Sequence, residues 1–158
     1  ALYAILEKYK NIDADYLVKK HLGHPNRDIE DNIYCSTGSL GQGITVGVGA
    51  ALASPDKKIY VTISDGECAE GSVWESLAFI HKMNLTNIEI TAIINGYAGY
   101  ETVDIDYLKK RLKSFLPSIV LHEVNGYEIS FIKDLEAHYI KLDEDMYKAA
   151  LEELDKKL

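Results

Sequence analysis

The segment spanning positions 58–97 constrains the fold of this chain more than any other. It contains two short runs rich in Ile, Val and Thr, and an amphipathic segment of helical length lies between them. Runs of this composition predict strands, and a helix of this length between two strands is typical of a parallel pair. The segment therefore predicts a βαβ unit. For the whole chain it predicts an α/β fold, a parallel sheet with helices on both faces.

An acid and an amide follow the two predicted strands. Asp65-Gly66 ends the first strand and Asn95-Gly96 ends the second. Ligands of parallel sheets collect at the carboxyl ends of the strands, where these oxygens, phosphate oxygens and water could complete a magnesium site. Gly66 would let the backbone approach a phosphate, and the start of the next helix would add N–H groups. The pattern thus predicts a metal and a diphosphate, although Asp-Gly and Asn-Gly are also ordinary turn dipeptides.

Two motifs in this order resemble those of one enzyme family. SDG followed by NG is similar to the thiamine-diphosphate motif, and SDGECAEGSVWES with the upstream STGSLGQG resembles transketolases over positions 1 to about 127. The resemblance implies a thiamine-diphosphate-binding fold. In that fold Asp65, Asn95 and the main-chain carbonyl of Tyr97 would hold magnesium, or calcium, on the cofactor's diphosphate. Ser64 stands where the family usually has Gly, and its hydroxyl could contact a phosphate, so we expect binding to be retained.

The resemblance also assigns residues around the reactive part of the cofactor. His24 lies in a Gly-His-Pro turn and would lie over the thiazolium ring, in contact with substrate oxygens. A solvated loop histidine is the alternative. Gly38 and Leu40, in the glycine-rich loop before a small-residue helix, would contact the cofactor along its pyrimidine and thiazole ends. His138 would match a phosphate-side or substrate-side histidine.

Two glutamates are implied at a subunit interface. Glu70 and Glu75 match residues that link to the partner domain's catalytic glutamate, and we assign Glu70 to catalysis and cofactor binding. Glu75 has a simpler explanation, because Ser72 and Glu75 form an S-x-x-E pattern that predicts a capping box at a helix start.

Several smaller features bear on local structure. Asp13 is a predicted N-cap of a helix over positions 12–21. Gly47 and Gly49, among alanines, predict a helix that packs closely against a neighbour. The chain is expected to be a single domain over 1–158. Relative to the family, the chain is expected to be shortened at the N-terminus and around 128–131. Either the protein is naturally shorter there, or a loop is missing from the sequence.

The composition of the chain argues against some classes of binding partner. A net charge of −8 without a basic stripe argues against nucleic acid and anionic membrane surfaces. No apolar run approaches the length of a membrane span, and no signal peptide is evident, although the sequence begins with Ala. Cys35 and Cys68 lack metal-binding spacing. A reduced, cytoplasmic setting is therefore expected.

The resemblance implies an activity that needs a second chain. Transketolases move a two-carbon ketol unit from a ketose, often phosphorylated, to an aldose. The glutamate that activates their pyrimidine ring lies on another domain, so we expect that a partner supplies it in a heterotetramer. Two alternatives stay open. One is another thiamine-dependent enzyme half, a deoxyketose-phosphate synthase or a 2-oxo acid decarboxylase, and the other is a non-catalytic scaffold protein.

Overall fold

The computed structural model describes residues 2–99, 101–124 and 129–157, without the side chains of Glu136 and His138. The helices of this part are α1 (Leu2–Lys10), α2 (Ala14–His21), α3 (Gln42–Ala53), α4 (Gly71–Lys82), α5 (Ile105–Phe115) and α6 (Glu144–Asp155). The strands are β1 (Ile59–Ser64), β2 (Ile88–Ile94) and β3 (Val120–Glu123). Short 3₁₀ turns lie at Glu67–Ala69 and Leu135–His138.

The strands form a parallel sheet in the order β1-β2-β3. Ile59 pairs with Ile88 at one end of the first ladder, and Ser64 pairs with Ile93 at the other. Helix α4 connects β1 to β2, and α5 connects β2 to β3. This arrangement confirms the predicted α/β class and the βαβ unit. It also sets the carboxyl ends of β1 and β2 side by side, which brings the residues after them together.

The main core lies between the sheet and helices α3, α4 and α5. Alternate residues of β2 are buried, from Ile88 to Ile94, and their neighbours are only partly covered. The buried set packs with side chains from three helices, including Ile44 of α3, Leu77 of α4 and Leu112 of α5. A period of two in burial is what a half-buried strand requires, and it fixes which face meets the helices.

Aspartates begin three of the helices. The side chain of Asp13 accepts a hydrogen bond from the N–H of Tyr16, and Asp104 and Asp143 do the same at α5 and α6. The N-cap predicted at Asp13 is therefore confirmed, although α2 begins at Ala14. An acidic cap satisfies a free N–H group and favours the positive end of the helix dipole.

The two helix glycines behave differently. A Cβ on Gly47 would lie 2.4 Å from Cγ2 of Val61, so this position needs glycine for the contact between α3 and β1. The close packing predicted at Gly47 is thus confirmed, and the neighbour is strand β1. A Cβ on Gly49 would meet nothing within 4 Å, so close packing predicted there is wrong.

The predicted capping box at Ser72 and Glu75 is also wrong. Helix α4 begins at Gly71, and its N-cap is Glu70, which makes no side-chain capping bond. The Ser72 hydroxyl instead donates to the carbonyl of Gly41 at 3.1 Å. The Ser72 hydroxyl therefore bonds to a residue distant in sequence, and the local pattern had assigned it to the start of the helix.

None of the described helices combines the length and the apolar character needed to cross a membrane.

Candidate functional site

The carboxylate of Asp65 joins the ends of β1 and β2. Asp65 is buried, with 4% of its surface exposed. Its Oδ2 accepts hydrogen bonds from the N–H of Asn95 at 3.0 Å and from the N–H of Gly96 at 2.7 Å. Among the described residues Oδ1 has no hydrogen-bond partner, so one carboxylate oxygen is available to a ligand.

The turn after β2 wraps around this carboxylate. The Oδ1 of Asn95 accepts from the N–H of Tyr97 at 2.9 Å, and Gly96 takes a left-handed conformation with φ of 87°. The Tyr97 hydroxyl donates to Asp134 at 2.7 Å, and its backbone bridges to Thr102. These bonds fix the direction of the turn, while Asn95 itself is exposed.

The chemistry of these donors fits a hard divalent cation. Asp65 offers a free carboxylate oxygen, and Asn95 offers an amide oxygen with a second lone pair. Both are hard oxygen donors of the kind that magnesium and calcium prefer, and magnesium normally completes its octahedron with water and phosphate oxygens. Asp65 and Asn95, with the carbonyl of Tyr97, could therefore hold such an ion.

Gly66 and Ser64 flank the acid. A Cβ on Gly66 would lie 3.8 Å from the backbone of Ala98, an ordinary contact, so crowding within the described residues does not require glycine. The Ser64 hydroxyl accepts from the N–H of Glu67 at 3.4 Å, and the Ser64 N–H donates to Oε2 of Glu67 at 3.1 Å. The extra hydroxyl of Ser64 therefore has a protein partner.

A cavity of about 340 Å³ brings other predicted residues together. His24, Gly38 and Leu40 all line it. Gly38 has φ of 116°, and a Cβ there would lie 3.1 Å from Cγ of His24, so the imidazole packs directly on the glycine backbone. His24 and Leu40 are exposed at the cavity. A ligand in this space would contact an imidazole and a mostly apolar wall.

Glu67 lines the same cavity, and sequence reasoning did not select it. Its Oε1 accepts from the N–H of Gly41 at 3.4 Å, and its Oε2 accepts from Ser64. The signal that could have found it is the S-x-x-E spacing of Ser64 and Glu67. The two residues form the reciprocal bonds of a capping box around the 3₁₀ turn Glu67–Ala69.

The remaining predicted site residues lie elsewhere. Glu70 is exposed at the start of α4 and is not among the residues lining the cavity. Glu75 lies on the same helix and is exposed as well. The side chain of His138 lies outside the described part of the structure. Among the residues that the structure describes, Glu70 therefore does not line the cavity with His24.

The turn after Asp65 contains a buried thiol, that of Cys68. Burial, reinforced by the charges of Asp65 and Glu67, raises the pKa of Cys68 to about 12. The indole N–H of Trp74 donates to the carbonyl of Cys68 at 2.8 Å and anchors the turn. Burial disfavours the thiolate of Cys68, and its side chain packs within the hydrophobic core.

Comparisons with known proteins give consistent relatives. The chain is 36% identical over 121 residues to one subunit of the apulose-4-phosphate transketolase of Actinobacillus succinogenes, and the match covers 71% of this chain and 43% of the relative. It is 31% identical to the 6-deoxy-6-sulfo-D-fructose transketolase subunit SqwG of a Clostridium species, over 77% of this chain and 58% of the relative. A 1-deoxy-D-xylulose-5-phosphate synthase of Fusobacterium nucleatum is 28% identical, over 85% of this chain and 20% of the relative. No protein-family model matches the chain.

The fold, the paired strand ends and these relatives define an α/β domain of the transketolase type. The chain belongs to the transketolase family. It spans about half the length of the first two of these relatives.

Proposed function

We propose that this chain is the diphosphate-binding subunit of a thiamine-diphosphate-dependent transketolase. It would transfer a two-carbon ketol unit from a ketose or its phosphate to an aldose or its phosphate. The observation that carries this proposal is the bond from the Asn95 N–H to the Asp65 carboxylate at 3.0 Å. This bond holds two hard oxygen donors at neighbouring strand ends. The cofactor supplies carbanion stabilisation as an electron sink, and the protein supplies binding and orientation.

Different residues of this chain would bind the metal ion, the phosphate groups and the ring portion of the cofactor. Asp65, Asn95 and the carbonyl of Tyr97 would hold magnesium on the diphosphate. Two further residues, Gly66 and Ser64, would lie against the phosphate groups. The mostly apolar cavity lined by His24, Gly38 and Leu40 would receive the ring portion of the cofactor, in line with the character of its wall.

Substrate contacts would come from the histidine side of the cavity. His24 is exposed there, and its imidazole packs on the backbone of Gly38. An imidazole in this position could donate to or accept from hydroxyl and carbonyl oxygens of a sugar. Leu40 would pack on the cofactor. His138 is proposed to contact the substrate or its phosphate.

A second protein completes this proposal. Two of the relatives are named as subunits of their transketolases, and the chain spans about half of each. We propose that a pyrimidine-binding partner supplies the glutamate that activates the cofactor, in a heterotetramer. Exposed Glu70 would face that partner and connect to its glutamate. We also propose a cytoplasmic location, and we expect no activity from this chain by itself.

Reconstitution tests the proposal. The purified chain is mixed with candidate partner proteins, thiamine diphosphate and magnesium, and ketol transfer is followed by product analysis. We expect activity only when both chains are present. His24→Asn should lower kcat by at least tenfold, and His122→Asn, a matched change of an exposed histidine on β3, should not. Robust activity from the lone chain, or equal activity of both variants, would contradict the proposal.

The similarity to a deoxyxylulose-phosphate synthase motivates a second candidate function. The reconstituted complex should therefore also be given a 2-oxo acid donor with an aldose phosphate acceptor. Release of carbon dioxide with this donor, and no transfer from ketoses, would favour the synthase. Transfer from a ketose without release of carbon dioxide would favour the transketolase.

A further inference from the structure

We propose that Glu67 is a positioning residue that couples the turn at the end of β1 to the glycine-rich loop at the cavity. This inference rests on the proposed function, because it assigns the two coupled segments to one cofactor. Glu67 is not a metal ligand in this proposal. It contacts both halves of the site, which are the turn that carries Asp65 and the loop that carries Gly38 and Leu40.

The first observation is that both carboxylate oxygens of Glu67 are used, in different directions. Oε2 accepts from the N–H of Ser64 at 3.1 Å, at the last residue of β1. Oε1 accepts from the N–H of Gly41 at 3.4 Å, 26 residues away along the chain. One half-buried side chain therefore bonds the strand end and the distant loop at once.

The second observation is that Gly41 is held from two sides. Its N–H donates to Glu67, and its carbonyl accepts from the Ser72 hydroxyl at 3.1 Å. The residue is buried with φ of 77°, and a Cβ there would lie 2.4 Å from Oγ of Ser72 and 2.8 Å from Cβ of Glu70. The loop is thus seated against segment 67–72, at a distance that only glycine allows.

These contacts connect the two halves of the site mechanically. Gly41 ends the loop that carries Gly38 and Leu40, and it is the N-cap of α3. Glu67 follows Asp65 by one intervening residue, Gly66, and lies in the 3₁₀ turn that begins there. A displacement of the loop would therefore also displace Glu67 and the adjacent turn that carries Asp65. Preserving this geometry matters because small displacements of bound groups reduce catalysis steeply.

The test begins with the isolated chain, without cofactor. Hydrogen exchange of the Gly41 amide is compared by NMR in wild type, Glu67→Ala and Glu67→Gln. The control is Glu152→Gln, a change of the same type at an exposed position of α6. We expect exchange at Gly41 to be about tenfold faster in Glu67→Ala, since local opening becomes easier when the acceptor is removed. Gln keeps one acceptor oxygen and should give an intermediate rate.

Cofactor affinity is the second readout. With the partner protein and magnesium present, thiamine diphosphate should bind Glu67→Ala about tenfold more weakly, which is about 1.4 kcal/mol. The magnesium concentration for half-maximal binding should change by less than about twofold, because Glu67 is not a metal ligand in this proposal. Ile90→Val, a mild change of the buried core, controls for a general loss of stability and should leave the affinity unchanged.

The outcomes separate the two proposals. Unchanged Gly41 exchange in Glu67→Ala would overturn the positioning role, whatever the cofactor does. Unchanged cofactor affinity in Glu67→Ala, or an equal loss in Ile90→Val, would overturn it as well. If wild type itself fails to bind the cofactor with its partner, the proposed function fails. In that case the positioning role fails with it, even if exchange at Gly41 is faster.

Discussion

Replacing Asp65 by alanine is expected to destabilise the chain by about 3 kcal/mol. The change removes the acceptor for two N–H groups, that of Gly96 in a buried position and that of Asn95 in a partly buried one. An orphaned buried donor costs about 1–3 kcal/mol. We take about 2 kcal/mol for the buried group and about 1 kcal/mol for the partly buried one. The loss is a large fraction of the roughly 5–15 kcal/mol that stabilises an ordinary domain.

Asp65→Asn is the matched comparison. The amide keeps one oxygen that can accept from both N–H groups, but a neutral acceptor is about half as strong as a charged one. We therefore expect a loss of about 1 kcal/mol. Urea unfolding followed by far-UV circular dichroism, with the slope of the transition held constant, measures the difference of about 2 kcal/mol. If the two variants were equally stable, or if Asp65→Ala cost less than about 0.5 kcal/mol, the role given to this carboxylate would be refuted.

Three further variants or reagents probe other parts of the chain. Gly47→Ala should destabilise by about 1–3 kcal/mol in thermal unfolding, because its Cβ would lie 2.4 Å from a methyl group of β1, and a neutral result would contradict this packing. The bond from Lys20 holds the pKa of Asp31 below its ordinary value of 3.8, so this contribution to stability is present above about pH 4 and lost as the pH falls through the lowered pKa. Asp31→Asn should therefore flatten the acid limb of the pH–stability profile, and an unchanged limb would contradict it. A disulfide reagent at about pH 8 should modify half-buried Cys35 first and reach Cys68 only on unfolding, and rapid reaction of Cys68 would argue against its burial.

The arrangement of the strand ends was predictable because it depends on local patterns that agree. The strand runs and the intervening helix fix a parallel pair, and a parallel pair sets its carboxyl ends together. Asp65 and Asn95 follow those ends directly, so their proximity follows from topology. The N-cap at Asp13 was predictable for a similar reason, since the bond spans only three residues.

The capping boxes show where local patterns fail. The chain has an S-x-x-E pattern at Ser64 and Glu67 and another at Ser72 and Glu75. Spacing alone does not distinguish them. The second pair is broken because the Ser72 hydroxyl donates to the backbone of Gly41, which arrives from far along the chain. The first pair forms its reciprocal bonds, and Glu67 also accepts a hydrogen bond from the N–H of Gly41. Only the tertiary fold decides between them.

The helix glycines make the same point about packing. Gly47 and Gly49 have similar local surroundings of small residues, yet one is buried against β1 and the other is exposed. Two residues along a helix correspond to a rotation of about 200°, so they cannot both face the same neighbour. The assignment depends on which face of α3 meets the sheet, and that follows from the core as a whole.

The most direct measurement of the central claim is a calorimetric titration of thiamine diphosphate into the chain with its partner protein, with and without magnesium. If the oxygens after β1 and β2 hold a divalent ion on a diphosphate, wild type should bind the cofactor only when magnesium is present. Asp65→Asn should remain folded and bind at least about a hundredfold more weakly, a loss of about 2.7 kcal/mol. Binding that ignores magnesium, or that Asp65→Asn preserves, would contradict the account.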